Sequence, residues 1–287
     1  FIAFAIKIPI VPLHIWLPDA HVEAPTPVSI ILAGVLLKIG GYGLIRVCMS
    51  IFPDAMIDAN WWLGLIGIIS ILYGALNALA QKDLKRMIAY SSVSHMGFVL
   101  LGIASLTAEG ISGAMFQMIS HGFLSAALFF LVGIIYDRVH DRYIYHFRGL
   151  ANIMPQFTGF VAVTFFASLG LPGFSAFIGE AFVVIGAFNA ESVGTGIPRW
   201  MAVAGSVGIL LSAAYFLWTL QRMFFGETRL KGGEDWALAL TDVTARERLI
   251  MFPTLALALA LGIMPSLVFD KLNATVLQLV SLMTPYL

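Results

Sequence analysis

The chain has 287 residues, 60% of them hydrophobic and only 11% charged, with a formal net charge of zero and a mean hydropathy of +0.92. Soluble domains carry about 25% charged residues, so this composition excludes one and points to an integral membrane protein. The balanced charge gives no reason to expect a nucleic acid or an acidic partner. The single cysteine, Cys48, excludes an internal disulfide or a multi-cysteine metal site.

The apolar runs are long enough to cross a bilayer and lack the alternation of a barrel strand, so helices do the spanning. The expectation is an all-α polytopic membrane protein with about eight transmembrane helices in a single domain over residues 1–287. The first span runs from Phe1 to about Ala20 and contains Pro9, Pro12 and Pro18. Proline removes a helix donor and clashes with the preceding turn, which predicts a broken helix. The chain opens inside an apolar run, with neither initiator Met nor signal peptide, so a missing N-terminal part is expected. The second span is about Pro27 to Val47, with Lys38 near its middle, and the third about Trp61 to Ala80. The fourth, about Leu84 to Ser105, holds His95, and the fifth, about Ile111 to Tyr136, holds His121. The sixth, about Phe157 to Phe188, breaks at Pro172 and Gly173, with Glu180 beyond the break. The seventh is about Met201 to Phe224, and the eighth about Leu249 to Val268, followed by a short tail with Lys271. The polar stretch from Gly226 to Arg248 reads as a surface loop with room for a short interfacial helix. Trp16, Trp61 and Trp62 suit interfacial anchors.

Loop charge alternates along this map. Three connections carry Lys82, Lys85 and Arg86, then Arg138, Arg142 and Arg148, then Arg222, Arg229, Lys231, Arg246 and Arg248. The intervening loops hold only Arg46 and Arg199 among basic residues, together with Asp54, Asp58, Glu109 and Glu191. By the positive-inside rule the basic loops face a cytoplasm-like side.

A charge at the bilayer centre costs at least ~3 kcal/mol on insertion scales, so an ionisable residue there marks a functional site. Glu180 is the sharpest case, because no other charge lies between Phe160 and Phe188. A broken helix beside an ionisable group is the pattern of transporter sites near the midplane. Lys38 sits too deep for its ammonium to reach the interface easily. Lys7 lies just before the Pro9 break, where freed backbone groups need polar partners. His95 and His121 sit beside serines on adjacent spans, and histidine exchanges protons near neutral pH. Ser125 falls one turn after His121, on the same face. Asp19, His21 and Glu23 follow the first break, where a functional role and a solvated short loop are equally open readings. There is no P-loop, dinucleotide fingerprint or metal-ligand cluster.

Several motifs follow each other at one family's spacing: Lys7-Ile8-Pro9, Pro12-Leu13-His14-Ile15-Trp16-Leu17-Pro18-Asp19-Ala20-His21, Leu36-Leu37-Lys38, Asp83-Leu84-Lys85-Arg86-Met87-Ile88-Ala89-Tyr90-Ser91-Ser92 and Ser94-His95-Met96-Gly97. They resemble the antiporter-like membrane subunits of respiratory complex I, the proton-pumping NADH:quinone oxidoreductase, and most closely the M type. The resemblance covers essentially the whole chain. It implies the C-terminal part of a fourteen-helix fold, from the broken seventh helix onward. It also implies proton translocation through Lys7, Lys38, His95, His121 and Glu180, with Pro9, Pro12, Pro18, Pro172 and Gly173 forming the broken-helix elements. Glutamate at Glu180, where the sister L and N types usually carry lysine, points to the M type. The family's glutamate partner of the lysine at Lys7 has no counterpart in this sequence. No cofactor is implied in this chain; NAD, FMN, iron–sulfur clusters and quinone belong to other subunits of such a complex. The implied partners are the other membrane subunits, above all the sister antiporter-like ones, in a bacterial inner membrane or a mitochondrial inner membrane. A subunit of a multi-subunit sodium/proton antiporter, or of a related membrane-bound hydrogenase, is the alternative.

Overall fold

The computed structural model describes residues 1–283. The chain starts with two short helices, α1 (Ile2–Lys7) and α2 (Trp16–Glu23), separated by a turn that contains Pro9 and Pro12. The turn frees backbone groups, and the neighbouring helix meets one of them: Val11 N–H donates to Ser70 Oγ at 3.0 Å. Pro18 departs from expectation. It lies in the first turn of α2, where its missing N–H has no helical partner to lose, so it belongs to the resumed helix rather than to the break.

Six longer helices follow the length and apolarity of membrane spans: α3 (Thr26–Met49), α4 (Pro53–Ala80), α5 (Leu84–Ala104), α6 (Ala108–Val139), then Ser175–Val193 and Arg199–Phe224. The last two are numbered α8 and α9, because α7 (Pro155–Ser168) precedes them. Helix starts follow local chemistry. Pro27, Pro53 and Pro155 occupy first-turn positions, where proline is pre-set for a helix. Asp83 caps α5 by accepting from Arg86 N–H at 3.0 Å, and Thr107 caps α6 by accepting from Gly110 N–H at 3.1 Å.

The helix α5 is the axis of the molecule: 94% of its apolar window is buried, against 39% for α8 and for α9. It packs on α4 with backbones nearly touching. A Cβ on Gly97 would stand 2.7 Å from the Gly67 carbonyl oxygen, and one on Gly74 2.6 Å from the Ser94 nitrogen. Small residues permit this approach between spanning helices.

Between Ser168 and Ser175 the helix stops, and Pro172 and Gly173 lie in this interruption. Gly170 (φ +81°) and Gly173 (φ +101°) supply the left-handed turns. Ser212 Oγ–H of α9 donates to the Leu169 carbonyl at 3.3 Å. The expectation of a short tail after Val268 is corrected. After α10 (Gly233–Ala239) and α11 (Ala245–Ile263), the chain bends by 63° into an eighteen-residue helix, α12 (Ser266–Met283). Counted as one span, that bent pair makes a seventh. Phe269 of α12 packs its ring 4.6 Å from that of Phe182 and 5.0 Å from that of Phe116, which anchors the helix to the bundle.

The three basic connections gather on one side. Arg142 pairs with Asp83 at 2.6 Å, and Ile144 N–H donates to the Lys82 carbonyl at 2.8 Å. A two-stranded ladder joins β1 (Phe147–Arg148) to β2 (Arg229–Leu230), so the polar stretch after Gly226 is tied to the preceding basic loop. Asp242 in the same stretch caps α7, accepting from the Gln156 and Phe157 amides at 3.0 and 2.9 Å.

Candidate functional site

Four of the five ionisable residues singled out in the sequence come together as one row through the helix bundle. Lys38 stands at one end, on α3. The wider π-type winding of Leu32–Leu36 lies just before it, and the Ala33 carbonyl within that winding accepts from Lys38 Nζ at 2.5 Å. Lys38 Nζ also lies 2.7 Å from His121 Nδ1. When Lys38 carries its proton it can only donate, so His121 Nδ1 then accepts and a neutral ring holds its hydrogen on Nε2. No carboxylate pairs with Lys38 among the described residues.

His121 on α6 is buried, and its ring centroid lies 5.4 Å from that of His95 on α5. His95 Nδ1 is 3.0 Å from Glu180 Oε1 on α8. Glu180 is 1% exposed and His95 4%, so their contact is shielded from solvent. The order along the row is therefore Lys38, His121, His95, Glu180. A small cavity of about 10 Å³, lined by Ser91, His95, Gln117, His121, Ser125 and Ser168, lies between the two rings. That is about the space of one water. The Ser125 hydroxyl is spent on the His121 carbonyl at 2.5 Å rather than on the ring, although it shares the helix face as expected.

The second break shapes the far end of the row. Glu180 Oε2 is buried without a hydrogen-bond partner. It rests against Gly170, where a Cβ would stand 2.7 Å away. Ser168 Oγ nearby is also buried and unpartnered. The Ser120 and Ser175 hydroxyls meet at 2.7 Å where α8 begins beside α6.

Lys7 stands apart from this row. It closes α1 with its side chain exposed and no hydrogen bond to the described residues. Asp19, His21 and Glu23, for which a solvated short loop was one open reading, lie on the helix α2. Asp19 pairs with Arg86 at 3.2 Å in an exposed position, and Glu23 is exposed. His21 is fully buried and stacked on Phe129 with ring centroids 4.3 Å apart, because the resumed helix turns that face inward. Lys85, counted as a loop charge from sequence, is buried in the first turn of α5 and donates to the Ala24 carbonyl at 2.6 Å.

Sequence reasoning did not single out Gln117. Its Nε2 lies 3.3 Å from Glu180 Oε1 and 3.5 Å from His95 Nδ1. The available signal was its place four residues before His121, on the same helix face. Among the described residues no group of three or more His, Cys, Asp or Glu is arranged to hold a metal ion. The row can hold and hand on protons: an amine, two imidazoles and a carboxylate each bind and release them, and from His121 to Glu180 the path is buried.

Residues 1–212 match the family model described as NADH:quinone oxidoreductase/Mrp antiporter, transmembrane. The chain is 44% identical over 280 residues to NADH-quinone oxidoreductase subunit M of Rhodobacter capsulatus, covering 98% of this chain and 52% of that protein. It is 42% identical over 284 residues to NADH-ubiquinone oxidoreductase chain 4 of Chondrus crispus, covering 99% and 56%. The chain thus spans about half the length of the curated relatives it matches. Among solved structures, a chain of respiratory complex I from Thermus thermophilus with bound NADH aligns with a TM-score of 0.87 at 31% identity, over 98% of this chain and 57% of that one. A chain of the Mrp complex from Dietzia sp. DQ12-45-1b shares the fold with a TM-score of 0.85 at 22% identity, over 99% and 59%. On its family match over residues 1–212, its buried Lys–His–His–Glu row and its apolar helices, this chain is an integral membrane protein that belongs to the NADH:quinone oxidoreductase/Mrp antiporter transmembrane family.

Proposed function

We propose that this chain is part of the M-type, or chain 4, membrane subunit of an NADH:quinone oxidoreductase and moves protons across the bilayer. The observation that carries the reading is the buried row from Lys38 to Glu180, closed by the 3.0 Å contact of His95 with Glu180. Identities of 42–44% to proteins named NADH-quinone oxidoreductase subunit M and NADH-ubiquinone oxidoreductase chain 4, and of 31% to the complex I chain against 22% to the Mrp chain, favour this over the Mrp reading. In this reading residues 1–287 form one proton-translocating domain of about eight spans within the fourteen-helix family fold. The first and sixth spans are the broken ones, divided between α1 and α2 and between α7 and α8.

The residues act in sequence. Lys38 Nζ gives a proton to His121 Nδ1 across 2.7 Å. The doubly protonated His121 ring then releases a proton through one cavity water to His95. His95 Nδ1 passes its proton to Glu180 Oε1. Lys7 serves the opposite side of Lys38, next to the first break. Electron transfer, with NAD, FMN, iron–sulfur clusters and quinone, takes place in other subunits, and the other antiporter-like membrane subunits are the partners. The membrane is a bacterial or mitochondrial inner membrane.

The test is Glu180→Gln in the complete complex reconstituted into liposomes. The rate of NADH-driven proton pumping is expected to fall by about a hundredfold, the scale of a lost acid–base group. Unchanged pumping by an assembled variant removes Glu180 from the path. The antiporter reading is separated by the ion requirement: transport that needs sodium but neither NADH nor quinone would replace the oxidoreductase assignment.

A further inference from the structure

Gln117 is fully buried on α6, beside both partners of the His95–Glu180 contact. Its Nε2 faces Glu180 Oε1 at 3.3 Å and His95 Nδ1 at 3.5 Å, and its Oε1 has no partner. The neighbouring helix is fitted to it. A Cβ on Gly179 would stand 2.5 Å from Gln117 Oε1 and 2.9 Å from its Cα. A glycine at position 179 thus leaves room for a primary amide beside Glu180, one residue along the chain.

We propose that Gln117 is a positioning residue for proton transfer between His95 and Glu180, its amide setting which of the two carries the shared proton. This rests on the proton-translocation reading. With the proton on His95, Nδ1–H donates to Glu180 Oε1, and the Gln117 N–H donates to the same carboxylate oxygen. Both donors then meet a charged acceptor, the stronger kind of hydrogen bond. In the transfer, the N–H bond of His95 breaks, its electron pair stays on Nδ1, and an O–H bond forms on Glu180 Oε1. After it, Oε1–H is itself a donor and a poorer acceptor for the amide. A half-turn of the amide brings Gln117 Oε1, until then without a partner, to face the new donor. One residue thereby holds the donor that the first state uses and the acceptor that the second needs. No other amide side chain touches either group among the described residues.

The experiment compares the complete complex carrying Gln117→Met with the wild-type complex in liposomes, reading the rate of NADH-driven proton pumping as a function of pH. Methionine keeps the length and removes both hydrogen-bonding atoms. The expected result is pumping about tenfold slower, the factor for one hydrogen bond to a charged group, with its pH profile displaced to alkaline pH by about one unit. A profile that superimposes on wild type overturns the proposal, because a residue that only fills space changes the amplitude without moving the profile. If Gln117→Met does not assemble, Gln117→Asn carries the same test, since its amide stops one methylene short of Glu180. Normal pumping by Glu180→Gln overturns the underlying reading instead, so the two failures are distinct.

Discussion

Replacing Gly170 by alanine tests how the broken helix holds Glu180. Two costs arise at this position. The backbone has φ +81°, a left-handed conformation that costs a residue with a Cβ about 1–2 kcal/mol. The new Cβ would also stand 2.7 Å from Glu180 Oε2. Relief to ordinary contact near 3.4 Å moves the carboxylate by about 0.7 Å. The carboxylate is planar and rigid, so Oε1 moves with Oε2, and a shift directed away from His95 takes their 3.0 Å contact to about 3.7 Å, beyond hydrogen-bond reach. A buried hydrogen bond to a charged group contributes about 1.5–3 kcal/mol. The total expected for Gly170→Ala is therefore about 2.5–5 kcal/mol. Gly173→Ala is the control, with φ +101° and no atom within 4 Å of the added Cβ, so it carries the backbone cost alone. Thermal unfolding of the purified complex and proton pumping per NADH are measured for both. Equal destabilisation and equal pumping by the two variants would refute the claim that Gly170 seats the carboxylate.

Two further outcomes follow from the geometry. Lys38→Met removes a half-buried ammonium that has no carboxylate partner and leaves His121 Nδ1 without a donor; since burying a lone charge also costs at least ~3 kcal/mol, stability is expected to change by less than about 2 kcal/mol while pumping is lost. Pumping at the wild-type rate in that variant would make the row a static scaffold. In the basic loop outside the spans, burial by itself raises the Asp141 carboxyl, but the Tyr143 amide and His146 outweigh it and hold the group below its ordinary value of 3.8. The stabilisation is present above pH about 4, the unfolded value, and is lost as the pH falls through the lower folded value. Hydrogen exchange at the Tyr143 amide, which donates to Asp141 Oδ1 at 2.8 Å, is expected to become protected as pH rises through that window after correction for intrinsic rates. Protection independent of pH would contradict it.

The amino-acid sequence by itself determined the solvent of this chain, the approximate positions of its main helices and the gathering of its basic loops on one side. Those properties depend on local composition: apolar length and loop charge act within a few residues of where they are written. Both interruptions were legible for the same reason, from Pro9, Pro12, Pro172 and Gly173. The errors were local too. Pro18 sits where a helix tolerates proline, and the last span was carried through the bend at Pro265 and ended at about Val268, inside α12. The candidate residues Lys38, His95, His121 and Glu180 were visible because an ionisable group in an apolar run is rare. Their order was not. His121 stands between Lys38 and His95 because α6 packs against α3 on one side and α5 on the other, an arrangement that no spacing within one helix encodes. Nor could spacing separate Lys7, exposed at the end of α1, from the row it was expected to join. Gln117 and Gly170 became functional candidates only in three dimensions. Each is an ordinary residue in its own helix or turn, and each gains its role from where α8 places the Glu180 carboxylate.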